Sequence, residues 1–129
     1  MRQETHRLEL TTRGKSLVPF TRPVREWVAQ TDITTGLLTI WCPHTSCSLT
    51  VQENADPTVR DDILEFFEGL APEDPRRYAH STEGPDDMPA HLRTMLTQSG
   101  LSLPVLDGAP ALGRALLPLS RPFLLSNTA

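Results

Sequence analysis

The run from His80 to His91 concentrates chemically versatile side chains in a short stretch. It holds two imidazoles and the carboxylates of Glu83, Asp86 and Asp87 around a Gly-Pro turn. Imidazoles and carboxylates bind divalent metals and transfer protons near neutral pH. The run therefore predicts a metal or acid–base site, with His80, Asp87 and His91 as catalytic candidates and Glu83 and Asp86 as cofactor-binding candidates.

A second polar run covers residues 44–57 and carries a third histidine and one of the two cysteines. His44, Cys47 and Glu53 are its catalytic candidates, and Asn54 and Asp56 are its cofactor-binding candidates. His44 follows a predicted strand, which gives its side chain a rigid base. A neighbouring imidazolium is also what a reactive Cys47 thiolate would require.

Three histidines from the two runs are the predicted metal ligands. His44, His80 and His91 could present three nitrogens to a divalent cation, Zn²⁺ or Mg²⁺, and leave a position open for water or substrate. Residues four apart share one face of a helix, so Asp87 and His91 can point into the same pocket. The spacing matches no compact zinc signature, so folding must bring these ligands together.

Each candidate also has a purely structural interpretation. Asp56, Asp86 and Asp87 stand where a carboxylate caps a helix or interacts with its dipole. A single loop histidine is usually only solvated, and a free cysteine such as Cys47 usually behaves as a small buried hydrophobe. These alternatives stay open at the level of sequence.

Composition limits the class of protein. The 129 residues suit one domain over 1–129, and the formal charge of −4 argues against a nucleic-acid binder, which needs a basic face. No apolar stretch reaches the ~20 residues of a membrane helix, and no signal sequence opens the chain. We therefore expect a cytoplasmic protein that binds neither nucleic acid nor membrane, with Cys42 and Cys47 as free thiols. Eleven of 12 basic residues are Arg, and the 12 prolines fit a GC-rich genome or a thermophile.

The elements that must position these side chains follow from periodicity. Alternating or apolar runs predict strands, and apolar residues three and four apart predict helices. Asp56 and Pro57 mark a helix start, Pro72 a stop, and Asp107-Gly108 a tight turn. The result is an α+β domain with strands over 6–12, 16–20, 37–43, 47–51 (the hairpin partner of 37–43) and 101–105, and helices over 24–30, 57–70 and 88–99, the last capped by Gly100.

Three stretches resemble the signatures of the YjbQ family. They are HTSCSLTVQENADP (residues 44–57), LAPED (70–74) and HSTEGPDDMPAH (80–91), and residues 107–113 also fit. The resemblance implies a two-sheet β-sandwich with two to three helices that assembles as a homotrimer. It also implies a metal or phosphate-ligand pocket formed by His44, Cys47, Glu53, Asp56, His80, Asp86, Asp87 and His91.

The C-terminal stretch, residues 114–129, departs from the family pattern. In place of the Thr-Trp-Gln that the family carries after Gly113, the chain continues with Arg114 and ends early. A natural variant, a frameshifted gene and a sequencing error all fit this departure. Pro118 and Pro122 disfavour a normal central strand in this tail, since proline cannot donate to a ladder.

The function implied by the resemblance is unsettled. The family is sometimes labelled a secondary thiamine-phosphate synthase, an enzyme that joins a pyrimidine diphosphate to a thiazole phosphate. A small, phosphorylated ligand would fit that label, with a divalent metal shielding the pyrophosphate. The alternatives are a non-catalytic protein that binds a small ligand or a metal, and a metal-dependent hydrolase.

Overall fold

The described residues form two three-stranded antiparallel sheets and three α-helices. This computed structural model describes residues 1–52, 56–112 and 123–127. The predicted α+β class is confirmed. The elements are β1 (Ser16–Pro19), α1 (Thr21–Gln30), β2 (Gly36–Trp41), β3 (Cys47–Val51), α2 (Thr58–Leu70), α3 (Asp87–Leu96), β4 (Gly100–Leu106), β5 (Ala109–Pro110) and β6 (Phe123–Asn127), with a 3₁₀ turn over Pro75–Arg77.

The first sheet has the strand order β1-β6-β3. Its central strand lies in the tail that departs from the family pattern, and it pairs Leu125 with Val18 on one side and with Leu49 on the other. The expectation that Pro118 and Pro122 disfavour a central strand in this tail was wrong, because β6 lies between β1 and β3. The strand begins at Phe123, after both Pro118 and Pro122 in sequence, so neither proline interrupts its ladder. The rest of the stretch 114–129 lies outside the described residues.

The second sheet has the order β2-β4-β5. β2 pairs along its whole length with β4, from Gly36 opposite Val105 to Trp41 opposite Gly100. The predicted turn after β4 is confirmed. Asp107 and Gly108 have φ values of 51° and 74°, as a tight two-residue hairpin turn requires.

The predicted hairpin between the strands around residues 37–43 and 47–51 does not form. β3 pairs with β6 in the first sheet, and its only bridge toward the second sheet among the described residues joins Leu49 to Gln98. The chain leaves β2 at Cys42, whose N–H donates to Ser99 O at 2.8 Å. β4 pairs with one edge of β2, and β3 pairs with β6 in the other sheet.

The helices start and stop near their predicted ends. The carboxylate of Asp56 accepts hydrogen bonds from the backbone N–H (2.9 Å) and hydroxyl (2.8 Å) of Thr58 at the start of α2, and α2 ends two residues before Pro72. α3 ends at Leu96 and not at residue 99, because Thr97 leaves the helical conformation. Gly100 therefore begins β4 and caps nothing.

The core lies between the helix α1 and strands of both sheets. It is formed by buried apolar side chains from α1, β2, β3, β4 and the connecting segments, namely Phe20, Val24, Val28, Leu38, Cys42, Leu49, Leu101, Val105 and Leu112. Both sheets are thereby fixed relative to α1.

The predicted strand over residues 6–12 is absent. The segment alternates in polarity, but no described strand pairs with it, and a strand needs a neighbour's backbone as well as a pattern. Leu8 stays 38% exposed. The imidazole ring of His6 stacks on the indole ring of Trp27 at a centroid distance of 5.7 Å.

None of the helices in the described ranges is long and apolar enough to cross a membrane.

Candidate functional site

The helix α3 presents two of the predicted site residues on one face. Asp87 is its first residue, and His91 follows one turn later. The helix is fixed by Arg93, whose guanidinium is buried and donates from Nη2 to Ala71 O at 2.6 Å. The same nitrogen lies 3.1 Å from Glu68 Oε1 on α2. α2 therefore sets the position of the helix that carries the site.

The connection between α2 and α3 supplies His80. Its first half is tied down by Asp74, which accepts hydrogen bonds from the Arg76 side chain, and by the Tyr78 hydroxyl, which donates to Pro72 O at 3.0 Å. Gly84, with φ of 125°, makes the turn that returns the chain to α3. A side chain there would be strained, and its Cβ would lie only 2.8 Å from Asp86 Oδ1. This turn lets His80 face a residue seven positions later.

His80, Asp87 and His91 form one cluster, whose three candidate ligand atoms all lie within 4.8 Å of one another. Asp87 Oδ2 is shared, at 2.8 Å from His80 Nε2 and 3.4 Å from His91 Nε2. The two imidazole rings meet edge to face at a centroid distance of 5.9 Å. One carboxylate oxygen thus stands between two imidazole nitrogens.

The three ligand atoms of the cluster are close enough together that one metal ion could bind among them. Zinc bonds of about 2.0–2.1 Å in tetrahedral geometry separate neighbouring donor atoms by about 3.3 Å. The separation between His91 and Asp87 is close to this value, and the separation between His80 and Asp87 is a hydrogen-bond distance that a side-chain rotation would lengthen. Two imidazoles and one carboxylate suit Zn²⁺ or a similar transition metal, since Mg²⁺ prefers oxygen ligands. The donor set fits a cation.

The cluster is accessible from solvent. The side chains of His80 and His91 are 44% and 40% exposed, and that of Asp87 is 27% exposed. Glu83 is more exposed, and its Oε2 lies 3.6 Å from His80 Nε2, at the rim. Asp86 precedes α3 and makes no side-chain capping hydrogen bond. An incoming ligand can therefore reach the cluster, with Glu83 and Asp86 beside it.

His44 does not belong to this cluster among the described residues. Its loop does reach α3, because the Thr94 hydroxyl donates to Thr45 O at 2.8 Å, one turn beyond His91. The two polar runs therefore meet, but the third ligand atom of the converging set comes from Asp87. A metal-binding role for His44 stays a prediction.

The other residues of the second run have separate surroundings. Burial, together with Cys42, raises the pKa of the Cys47 thiol to about 12, which disfavours the reactive thiolate considered for it. Both cysteines are free thiols, as predicted. The two hydrogen bonds from Thr58 lower the pKa of Asp56 and give it a structural role at the start of α2. Glu53 and Asn54 lie outside the described residues.

Sequence reasoning missed the residues that hold the site in place. Arg93 is 2% exposed, and Lys15 bridges Glu68 (2.8 Å) and Glu73 (2.7 Å). The hydrogen bond to Glu68, then that to Glu73, raises the pKa of Lys15. Arg93 lies on the buried face of α3 with Pro89 and Ala90, whereas the apolar Met95 and Leu96 are exposed, so the apolar pattern of the helix gave no signal for it.

Known proteins resemble this chain over most of its length. A sequence profile described as "UPF0047 protein YjbQ-like" matches residues 6–115. The UPF0047 protein sll1880 of Synechocystis sp. is 48% identical over 87% of this chain and 76% of its own. The UPF0047 protein YjbQ of Escherichia coli O157:H7 is 41% identical over 82% of this chain and 75% of its own.

A solved structure has the same fold. The conserved hypothetical protein TT1486 from Thermus thermophilus superimposes with a TM-score of 0.82 at 36% identity, over 96% of this chain and 90% of its own. The sequence signatures and the fold agree: the chain belongs to the YjbQ-like UPF0047 family.

Proposed function

We propose that His80, Asp87 and His91 bind one divalent transition-metal ion, Zn²⁺ in the first place, and that the bound ion recognises a small anionic ligand. The observation that carries this proposal is the convergence of three ligand atoms within 4.8 Å. Two neutral imidazoles and one carboxylate would leave a net positive charge on the ion, and hence an attraction for phosphate or carboxylate groups.

The residues of this chain would contribute position and charge. Asp87 orients both imidazoles through its shared oxygen, and Glu83 at the rim can accept a proton or hydrogen bond from an incoming group. When bound, the ion would supply Lewis acidity and a water of lowered pKa. A site open to solvent on one side leaves room for both a water and a ligand.

The most specific version of this function is the thiamine-phosphate synthase reaction, which joins a pyrimidine diphosphate to a thiazole phosphate. The positive charge on the ion would neutralise the departing pyrophosphate, a role that the acidic surroundings cannot fill. A metal-dependent hydrolase of a phosphorylated or acylated small molecule would use the same three ligands.

A binding role without catalysis is the second candidate. The observation that favours it is the exposure of the cluster. His80, Asp87 and His91 line neither of the two described cavities. Enzyme sites usually lie in clefts that exclude water. A shallow site would hold a ligand without excluding water from it, unless a second subunit covers it. The homotrimer and the two-sheet sandwich expected from the family remain part of this proposal.

Zinc titration of the purified apoprotein by calorimetry tests the metal site. We expect one ion per chain, with affinity reduced by at least about 100-fold in His80→Ala and His91→Ala. His6 stacks on Trp27 outside the cluster, so His6→Ala is the matched control and should change affinity little. Unchanged binding in both cluster variants would contradict the site.

Turnover in the thiamine-phosphate assay tests the specific reaction. It should disappear in His80→Ala and His91→Ala if it arises at this site. Turnover that survives both substitutions would place the activity elsewhere. Zinc binding without turnover on this pair, or on a panel of phosphate and carboxylate esters, would favour the binding role.

A further inference from the structure

Two free thiols face a second region of the molecule that the proposed metal site does not use. Cys42 and Cys47 both line a cavity of about 800 Å³, which is also lined by His44, Phe20, Trp27 and Leu49. Cys42 is 8% exposed, and Cys47 is partly buried. The cavity lies between α1, the end of β2 and the N-terminal segment, away from His80, Asp87 and His91.

The loop between β2 and β3 brings the Cys42 thiol against the backbone of Cys47. Cys42 Sγ donates a hydrogen bond to Cys47 O, with a separation of 3.6 Å. A hydrogen bond between the two thiol side chains is one of the causes that raise the pKa of Cys47. Four residues separate the cysteines in sequence, and both ends of the loop are anchored, Cys42 by its backbone hydrogen bond to Ser99 O and Cys47 by its ladder with β6. The fold thus holds the Cys42 thiol beside Cys47.

The ligand count restricts what such a pair can bind. Within the described part of the chain, the only group of three converging metal-ligating side chains is the one at His80, so no third donor completes a site at the thiols. Structural zinc sites need four ligands. Soft monovalent ions of the Cu(I) type prefer sulfur and accept two ligands. Phe20, Trp27 and Leu49 add apolar side chains to the lining of this cavity.

We propose that Cys42 and Cys47 form a two-thiolate binding site for one soft monovalent metal cation at the wall of this cavity. Each thiol loses a proton and forms one metal–sulfur bond, so one cation and two thiols give a complex of charge −1 and two released protons. No oxidant or reductant takes part. The high proton affinity of the Cys47 thiol excludes harder cations that bind sulfur weakly, and binding should weaken as the pH falls.

Native mass spectrometry with Ag⁺ as a redox-stable probe, in chloride-free buffer, tests this site. We expect one Ag⁺ per wild-type chain and protection of both thiols from N-ethylmaleimide. Cys42→Ser and Cys47→Ser should each weaken binding by at least about 100-fold. His91→Ala should bind Ag⁺ like the wild type, which separates this site from the zinc site. Two ions per wild-type chain, or full binding by either cysteine variant, would overturn the proposal.

X-ray absorption on the wild-type complex gives a result that does not depend on the folding of any variant. Two sulfur neighbours around Ag⁺ are expected. One sulfur with nitrogen or oxygen neighbours would contradict the two-thiolate site.

Discussion

At the scale of single residues, Asp87 is the centre of the candidate site because its Oδ2 contacts both imidazoles. Asp87→Asn keeps the shape but removes the negative charge, and a neutral amide oxygen binds Zn²⁺ more weakly than a carboxylate does. We expect zinc affinity to fall by at least about 100-fold. Glu83→Gln is the matched control, because Glu83 is 67% exposed and lies at the rim. Equal losses in the two variants, measured by calorimetry, would count against a central role for Asp87.

Cys47 gives a second prediction at this scale. A thiol whose pKa rises from 9.0 to about 12 has about a thousandfold less thiolate near pH 8, and the thiolate is the nucleophile. Peptide mapping after iodoacetamide treatment should therefore show Cys47 alkylated far more slowly than a small free thiol, with a rate that keeps rising above pH 10. Rapid alkylation that levels off near pH 9 would contradict this environment.

The chemistry of these residues was predictable from the sequence, and their partners were only partly so. The spacing of Asp87 and His91 fixes them on one helix face, so their proximity follows from local structure alone. His80 joins them through a loop whose path depends on Gly84 and on contacts of Tyr78, which no pattern reports. His44 was expected in the same set, but its loop contacts α3 through Thr45 and not through its imidazole.

At the scale of elements, Arg93 joins α3 to α2. Arg93→Ala would remove a charged hydrogen bond to Ala71 O and a contact with Glu68, and would leave a buried carbonyl without this donor. We expect a loss of about 2–4 kcal/mol in the free energy of unfolding, measured by urea denaturation. The exposed pair of Arg22 and Glu26 is the control, and Arg22→Ala should change stability by less than about 0.5 kcal/mol. Similar losses in both variants would refute the special role of Arg93.

The 3₁₀ turn before His80 gives a prediction about pH. Hydrogen bonds from Arg76 lower the pKa of Asp74 below 3.8. The lowered pKa means that the ion pair stabilises the turn above pH 3.8, and that this contribution disappears as the pH falls through the pKa of the folded protein. NMR titration of the Asp74 carboxyl carbon should have its midpoint below 3.8 in the wild type and move upward in Arg76→Gln. A midpoint that does not respond to this substitution would contradict the pairing.

Elements with local signals were predicted well, and those that depend on distant partners were not. The start of α2 is set by Asp56 and Pro57, and its end lies just before Pro72. The turn after β4 is set by Asp107-Gly108. These signals were readable from the sequence because each residue restricts the backbone conformation at its own position. The pairing of β3 depends on β6, more than seventy residues later in the sequence. A strand's own alternation does not identify its neighbour, so the hairpin with β2 and the strand over residues 6–12 were both wrong.

At the scale of the whole molecule, the second sheet has an outer face with exposed apolar side chains. Leu37, Trp41 and Leu106 are 71%, 68% and 54% exposed, and the register of β2 with β4 puts them on the same side. We propose that a second copy of the chain covers this face in the homotrimer expected from the family. Trp41→Glu should then lower the mass measured by light scattering. Thr39→Glu introduces a charge between Leu37 and Trp41 on the same strand, and it tests whether any charge on this face is enough to lower that mass. A wild-type monomer would contradict this assembly.

The central claim is that His80, Asp87 and His91 hold one metal ion. Anomalous diffraction at the zinc absorption edge, on crystals grown with Zn²⁺, tests it most directly. The prediction is one strong peak per chain at about 2.0–2.2 Å from a nitrogen of each imidazole and from an Asp87 oxygen. The absence of a peak between these three side chains, or a peak only at other residues, would contradict the claim.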